Sequence, residues 1–286
     1  MKISVYITSY NQKAFLKEAI DSVLSQTLKP FEIIIVDDCS SDGSQDLIEE
    51  YCIKEPNIIS HFNKENKGIT KTRNIALSLV KGDLITWLDG DDVYLPDKLK
   101  TQYELIQQTN ADLVYTNFYI SEDQIDSIKR VWCSDISKIP QNNNILKEVL
   151  CRDFPRNALF RYEMITKELL NDTGGYDEKL DIYEDFEYRI RLTTKANTAF
   201  SMKALSIYRL HGEGLSNKEK SIHLSCLNYI NEKHKKLILN FSPKEQEKIN
   251  GSIKRYLSNF KDKKVTANNT LIFKIKRRLK RLIDKI

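Results

Sequence analysis

Short apolar runs alternate with amphipathic stretches along the first 118 residues, so the spacing predicts strands and helices in turn. Residues 3–9 read as a strand. Residues 15–25 read as a helix with Leu16, Ala19, Ile20, Val23 and Leu24 on one stripe. The unbroken run FEIIIV at 31–36 fits a strand buried on both faces. The pattern continues with a helix over 44–51, a strand over 58–62, a helix over 70–80 ended by Gly82, a strand over 84–88, a helix over 97–108 and a strand over 112–118. Such alternation predicts an α/β fold, a mainly parallel sheet flanked by helices, with ligands at the carboxyl ends of the strands. Residues 120–165 are less regular, and 141–144 reads as an Asn-rich loop. A helix over 183–192 and a strand over 204–208 follow. From Lys218 the pattern is helical, broken by Ser242-Pro243.

Two predicted buried strands end in acid. The first runs into Asp37-Asp38, the second into Asp89-Gly90-Asp91-Asp92. Acidic clusters at one sheet edge repel each other unless a cation joins them, and carboxylate oxygens suit Mg²⁺ or Mn²⁺, which commonly hold phosphates. Taken one pair at a time, such residues are also ordinary polar turns. Between the clusters lies NKGITKTRN at 66–74, where Arg73 falls in a first helical turn, a place that favours anions. Neither G-x-x-x-x-G-K-[ST] nor G-x-G-x-x-G is present.

Composition narrows the class. The 286 residues are 41% hydrophobic and 30% charged, a globular balance. Ten Lys/Arg and two Asp lie in 261–286, so this tail carries +8 and the rest of the chain −3, which argues against a nucleic-acid-binding body. Five scattered cysteines lack C-x-x-C spacing, so neither zinc nor a disulfide framework is expected. No apolar run is long enough to span a membrane, and the N-terminus reads as a strand and not a signal peptide. A cytoplasmic location is expected.

The ordered strings ITSYN, VDDCSSDGS, NKGITKTRN, LDGDD, GGYDE and EDFEYRIRL resemble glycosyltransferase family 2 over about three quarters of the chain. The resemblance implies the GT-A fold and an inverting, metal-dependent transfer of a sugar from a nucleoside diphosphate, typically UDP. It implies a catalytic domain over 1–217, with a nucleotide half (1–118) and an acceptor half (119–217), and a helical region over 218–286. By match of motif, Thr8 and Tyr10 belong to the loop around the base, Asp37 contacts the base and Asp38 lies near the ribose. Arg73 lies beside the nucleotide. Asp89 and Asp91 form the D-x-D motif, with Asp91 a direct ligand of Mn²⁺ or Mg²⁺, and Asp92 faces the sugar. Asp185, after Glu184, matches the general base, Arg191 the basic residue beyond it, and His211 a residue that in some members reaches metal or diphosphate. T-S-Y-N replaces the commoner P-x-Y-N, and the Q-x-x-R-W of processive members is absent, so polymerisation is not expected.

Inversion needs one base and no enzymic nucleophile, and an aspartate is ionised at neutral pH. If 183–192 is a helix, Asp185 and Arg189 form one i,i+4 pair and Glu187 and Arg191 another, the ordinary reading being solvated ion pairs. Two other functions stay open: a sugar-nucleotide pyrophosphorylase, which would need a Gly-rich, Arg-containing first loop, and a non-catalytic nucleotide-sugar-binding module on a membrane. In the tail, Ile272, Ile275, Leu279, Leu282 and Ile286 fall at helical spacing among Lys and Arg. That pattern predicts an amphipathic helix on an anionic membrane surface, hence peripheral attachment to the inner face of the cytoplasmic membrane, near a lipid-linked or glycan acceptor.

Overall fold

The computed structural model describes residues 1–122, 125–140, 143–152, 159–211 and 218–260. The predicted tail helix lies outside them. Strand β1 (Ile3–Ser9) and strand β2 (Glu32–Asp37) are buried at every position, as their apolar runs require when helices cover both faces of a sheet. Helix α1 (Lys13–Leu24) joins them and turns Leu16, Ala19, Ile20 and Val23 inward. Helix α2 (Ser44–Lys54) leads to β3 (Ile58–Phe62), and α3 (Ile69–Leu79) leads to β4 (Leu84–Asp89).

These strands lie in the order β3-β2-β1-β4, all parallel. Their register aligns Asp37 with Ser9 and Asp89 with Thr8, so both acidic loops leave the sheet at one edge on either side of β1. The short β5 (Val93–Tyr94) and α4 (Lys98–Thr109) precede β6 (Leu113–Glu122).

The second half departs from simple alternation. β7 (Ile128–Val131) pairs with β6, a single 3₁₀ turn covers Ile136–Lys138, and α5 (Leu146–Cys151) follows. The three-residue β8 (Met164–Thr166) slots antiparallel between β4 and β6 and runs directly into α6 (Lys167–Thr173). After α7 (Glu184–Lys195), β9 (Thr198–Leu210) is far longer than the predicted 204–208. It runs parallel to β6 with register shifts near Asn117, and its far end pairs antiparallel with β5. That bent strand carries its last residues back to the loop after β4.

Helices α8 (Lys220–Ile238) and α9 (Pro243–Ser258) meet at the predicted break, where Ser242 and Glu245 form a capping box and Pro243 opens the helix. Leu227, Ile230 and Ile249 are fully buried and belong to the same hydrophobic core as the sheet. No helix among the described residues is long and apolar enough to cross a membrane.

Candidate active site

The first two loops are tied together before any ligand is considered. Asn11, at φ +52°, donates its backbone N–H to Ser40 Oγ (2.8 Å) and accepts from the Ser41 N–H (2.9 Å). Asp37 is fully buried and accepts from the Ser40 N–H and hydroxyl and from Gln45 Nε2. Asp38, also buried, accepts from Asn63 Nδ2 and from the backbone N–H groups of Lys67 and Gly68, all at 2.8 Å. Gly68 sits at φ +81°, the left-handed side that glycine tolerates, and this lets the chain turn onto Asp38 just before α3. Thr8 is buried at the end of β1, while the Tyr10 ring is 48% exposed over the same edge. The two carboxylates expected near base and ribose are thus already engaged in shaping their loops.

Arg73 is buried at the first turns of α3, its guanidinium 4.4 Å from the Trp87 ring centroid. The anions that offset its position are carboxylates: Nη2 donates to Asp89 Oδ1 (2.8 Å) and Nη1 to Glu184 Oε1 (2.7 Å). One side chain therefore bridges the end of β4 to the start of α7 across a sequence gap of 95 residues. Burial pushes the Glu184 carboxyl up, to about 7, with Arg73 opposing and Asp185 adding to the rise.

Asp89, Asp91 and Asp92 bring carboxylate oxygens within 4.8 Å of one another. Gly90 permits this turn: a Cβ there would lie 2.7 Å from Gln12 Oε1 and 3.0 Å from the Thr8 carbonyl oxygen. Burial, then the neighbouring Asp89 charge, raises the Asp91 carboxyl; burial, then Asp91 and Asp89, raises Asp92 well above its ordinary range. The three differ in what they have left to offer. Asp92 is buried, with Oδ1 accepting from the Arg209 N–H (2.6 Å) and Oδ2 from the Tyr162 hydroxyl. It braces β9 against the loop, and its expected place facing a sugar is not what this geometry brings about. Asp91 Oδ2 meets His211 Nε2 at 2.8 Å, which brings the last described residue of that segment to the cluster. No hydrogen bond from another described residue reaches Asp91 Oδ1 or Asp89 Oδ2. Crowded carboxylates with two open hard oxygens: that donor set fits a divalent cation.

Asp185 stands in the first turn of α7. Tyr183, at φ +63°, swings the chain into this helix and is held there by its hydroxyl's bond to His223 Nδ1 (2.9 Å) and by the Arg152 guanidinium 4.7 Å above its ring. Asp185 Oδ1 accepts from the Phe186 N–H (2.7 Å) and Oδ2 from Arg189 Nη1 (2.5 Å). Burial works against its ionisation, but Arg189, Arg161 and Arg73 together prevail and hold the carboxyl below the usual range. Its side chain is nevertheless 28% exposed, whereas Arg189 is 1% exposed and also binds Glu163 at 3.1 Å.

Arg191, expected at the donor site, is engaged elsewhere. Its Nε donates to both Glu187 oxygens (3.0 Å), Nη1 to the Thr173 carbonyl (2.8 Å) and Nη2 to the Gly175 carbonyl (2.7 Å). All of its reach is used toward α6 and the turn after it, away from the acidic cluster. The cations that do serve the cluster and Asp185 include Arg161 and Arg189. Arg161, Tyr162 and Glu163 come from the stretch that sequence periodicity left unassigned; the one signal was a charged R-Y-E triplet inside the otherwise apolar LFRYEMI.

Known proteins share this fold. A crystal structure of S. aureus TarS 1–349 in complex with UDP-GlcNAc superposes with a TM-score of 0.73 at 22% identity, covering 95% of this chain and 77% of that one. The mannosyltransferase PcManGT of Pyrobaculum calidifontis, in complex with GDP-Man and Mn²⁺, gives 0.60 at 15% identity, covering 90% and 69%. At these identities the likeness is one of fold, and the fold is GT-A. By sequence, an uncharacterized glycosyltransferase of Methanocaldococcus jannaschii is 30% identical over 66% of this chain and 63% of its own. An uncharacterized glycosyltransferase of Rickettsia felis is 26% identical over 78% of this chain but only 36% of its own. The Escherichia coli UDP-Glc:alpha-D-GlcNAc-diphosphoundecaprenol beta-1,3-glucosyltransferase WfaP is 38% identical over 42% of this chain and 47% of its own. The chain thus spans about a third to two thirds of the length of such relatives. The family model for glycosyl transferase family 2 matches residues 4–169, more than half of the chain and every element from β1 to the start of α6, and the chain belongs to that family.

Proposed function

We propose that this protein transfers a sugar from a nucleoside diphosphate sugar, with UDP as the nucleotide, to a hydroxyl of a glycan or lipid-linked acceptor in cell-surface polysaccharide synthesis, with inversion at the anomeric carbon. The observation that carries the reading is the Arg73 bridge, which ties the carboxylates after β4 to the helix turn bearing Asp185. Family membership supports sugar transfer. The UDP-Glc-dependent transfer for which the WfaP relative is named and the UDP-GlcNAc bound to TarS support a UDP-sugar donor.

In this reading Asp185 is the general base. The acceptor oxygen bonds to the anomeric carbon from one face while the bond to the diphosphate oxygen breaks on the other. The hydroxyl proton passes to Asp185, and the nucleoside diphosphate leaves with the bonding pair. Arg189 fixes one carboxylate oxygen, and the exposed part of the side chain faces where an acceptor can approach. Asp91 Oδ1 and Asp89 Oδ2 would hold Mn²⁺ or Mg²⁺, with His211 steadying Asp91. Bound there, the ion stabilises charge developing on the leaving diphosphate. Thr8 and Tyr10 line the edge where the base would rest; Asp37 and Asp38 support that pocket through the loops they order.

The basic stretch 261–286 extends the proposal to location: it docks the enzyme on an anionic membrane surface at the cytoplasmic face, near a lipid-linked acceptor. Deleting 268–286 should move the protein from vesicles containing anionic lipid into the supernatant; unchanged partitioning contradicts this part. The donor assignment is tested by calorimetry with UDP, dTDP, GDP and CMP, each with Mn²⁺ and with chelator. Mn²⁺-dependent binding of UDP in preference to the others is expected, and preference for another nucleotide overturns the choice of UDP.

A further inference from the structure

Arg161 precedes β8 and lies close enough to Asp185 and to Asp92 of the acidic loop to act on both charges. Its guanidinium carbon lies 3.8 Å from the centroid of the Tyr208 ring, a stacking contact that holds the planar group in place. Electrostatically it couples to Tyr208, Tyr162, Asp185 and Asp92. Its situation differs from that of the other arginines here. Arg73, Arg189, Arg191 and Arg209 all form ion pairs. Arg161 forms no hydrogen bond or ion pair among the described residues, although two carboxylates are close enough to feel its charge.

Those two acids are already taken. Asp92 accepts from the Arg209 N–H and the Tyr162 hydroxyl, and Asp185 from the Phe186 N–H and Arg189. The nitrogens of Arg161 are not among the sealed polar atoms that lack a partner, whereas Nε of Arg73, Arg189 and Arg209 is. The guanidinium of the half-buried Arg161 therefore keeps donors accessible to solvent. A fixed, half-buried cation with free donors, set in the field of both the base and the carboxylate cluster, matches an anion with several oxygens.

We propose that Arg161 binds the terminal phosphoryl group of the donor's diphosphate, the group on which charge builds as the sugar departs. This rests on the nucleotide-sugar reading above. Tyr208 is a positioning residue for Arg161, since its ring stacks on the guanidinium face.

The test compares wild type, Arg161→Gln, Arg161→Lys and Tyr208→Leu in titrations with UDP, UMP, uridine and inorganic pyrophosphate, with Mn²⁺ and with chelator. The expected result for Arg161→Gln is about a tenfold loss of affinity for UDP and pyrophosphate, with UMP and uridine unchanged. The loss should persist in chelator, which separates it from disturbance of a metal, and Arg161→Lys should recover part of it. Tyr208→Leu should show the same selectivity with a smaller loss. Unchanged uridine binding also certifies that the variant is folded. Equal loss on UDP and UMP, or no loss on UDP and pyrophosphate, overturns the assignment. If wild type binds pyrophosphate through Arg161 but prefers another nucleotide to UDP, the UDP reading fails and this inference stands. If wild type binds neither pyrophosphate nor any nucleoside diphosphate, both fail.

Discussion

Helix α7 carries two ion pairs at the same i,i+4 spacing, and they have opposite characters. Asp185 with Arg189 is on the side of the acidic loop, its carboxylate 28% exposed and in the field of three arginines. Glu187 with Arg191 is on the other side, its carboxylate fully buried and bonded also to Lys233 and His234 of α8. The first carboxylate keeps an open approach with its charge secured by cations around it. The second is sealed by Arg191 of its own helix and by Lys233 and His234 of α8, and Arg191 in turn donates to the carbonyls of Thr173, at the end of α6, and Gly175. The same carboxylate–arginine spacing thus leaves an approachable carboxylate, the proposed base, on one face and a structural joint on the other. Solvent access and the neighbouring elements decide which.

Substitutions should separate the two faces. Asp185→Asn should cut sugar transfer by about 10²-fold or more while nucleotide affinity and melting temperature change little. Glu187→Gln leaves Arg191, Lys233 and His234 without their shared anion, and should cost about 3 kcal/mol in denaturant unfolding. Its turnover per folded molecule should stay near that of wild type. Asp91→Ala should remove most of the Mn²⁺ dependence of UDP binding in calorimetry; an equally Mn²⁺-dependent variant would take Asp91 out of the metal site.

The sealed face also predicts a pH response. Burial opposes ionisation of Glu187, but His234, Arg191 and Lys233 hold its carboxyl down at about 2; burial likewise opposes ionisation of Asp177, which Lys233 and its other donors bring to about 2. A folded value below the unfolded one means that the contribution is complete above the ordinary carboxylate range and is lost as pH falls toward 2. Melting temperature should therefore drop between about pH 4.5 and 2, and the drop should shrink in Glu187→Gln. The smallest effect belongs to Arg191→Lys. It loses the fork to Thr173 and Gly175 but keeps the charge, so stability should fall by about 1 kcal/mol with transfer unaffected.

The same contrast marks what could be read from the chain. Strands β1 and β3 have the predicted bounds, and the first-half helices differ by a few residues at their ends, because long apolar runs and stripes carry a clear period. The acidic loops were legible for the same reason: they follow those runs, and the parallel register puts them on one edge. Elements β5, β7, β8, α5 and α6 were not, since two to seven residues are too few to show a period and their place is set by tertiary pairing. β8 exists because β4 and β6 leave a slot for it. Arg161, Tyr162 and Glu163 went unnoticed with it. The partners of Arg191 were not legible although the helix itself was foreseen. Six residues turn a helix by about 600°, which puts Arg191 about 120° around from Asp185, whereas Arg189 at four residues stays on its face. The angular argument was available from sequence; the identity of the face that meets the acidic loop was not.

The measurement that bears most directly on the account is the initial rate of sugar transfer by wild type, Asp185→Asn and Glu187→Gln, run side by side well below their melting temperatures. A panel of UDP-sugars would serve as donors, with release of UDP as the readout. Turnover by wild type, retained in Glu187→Gln and reduced by about 10²-fold or more in Asp185→Asn, is the predicted result. Near-normal turnover in Asp185→Asn, or equal loss in both variants, would contradict the assignment of Asp185 as the base and with it the division of α7 into a reactive and a structural face.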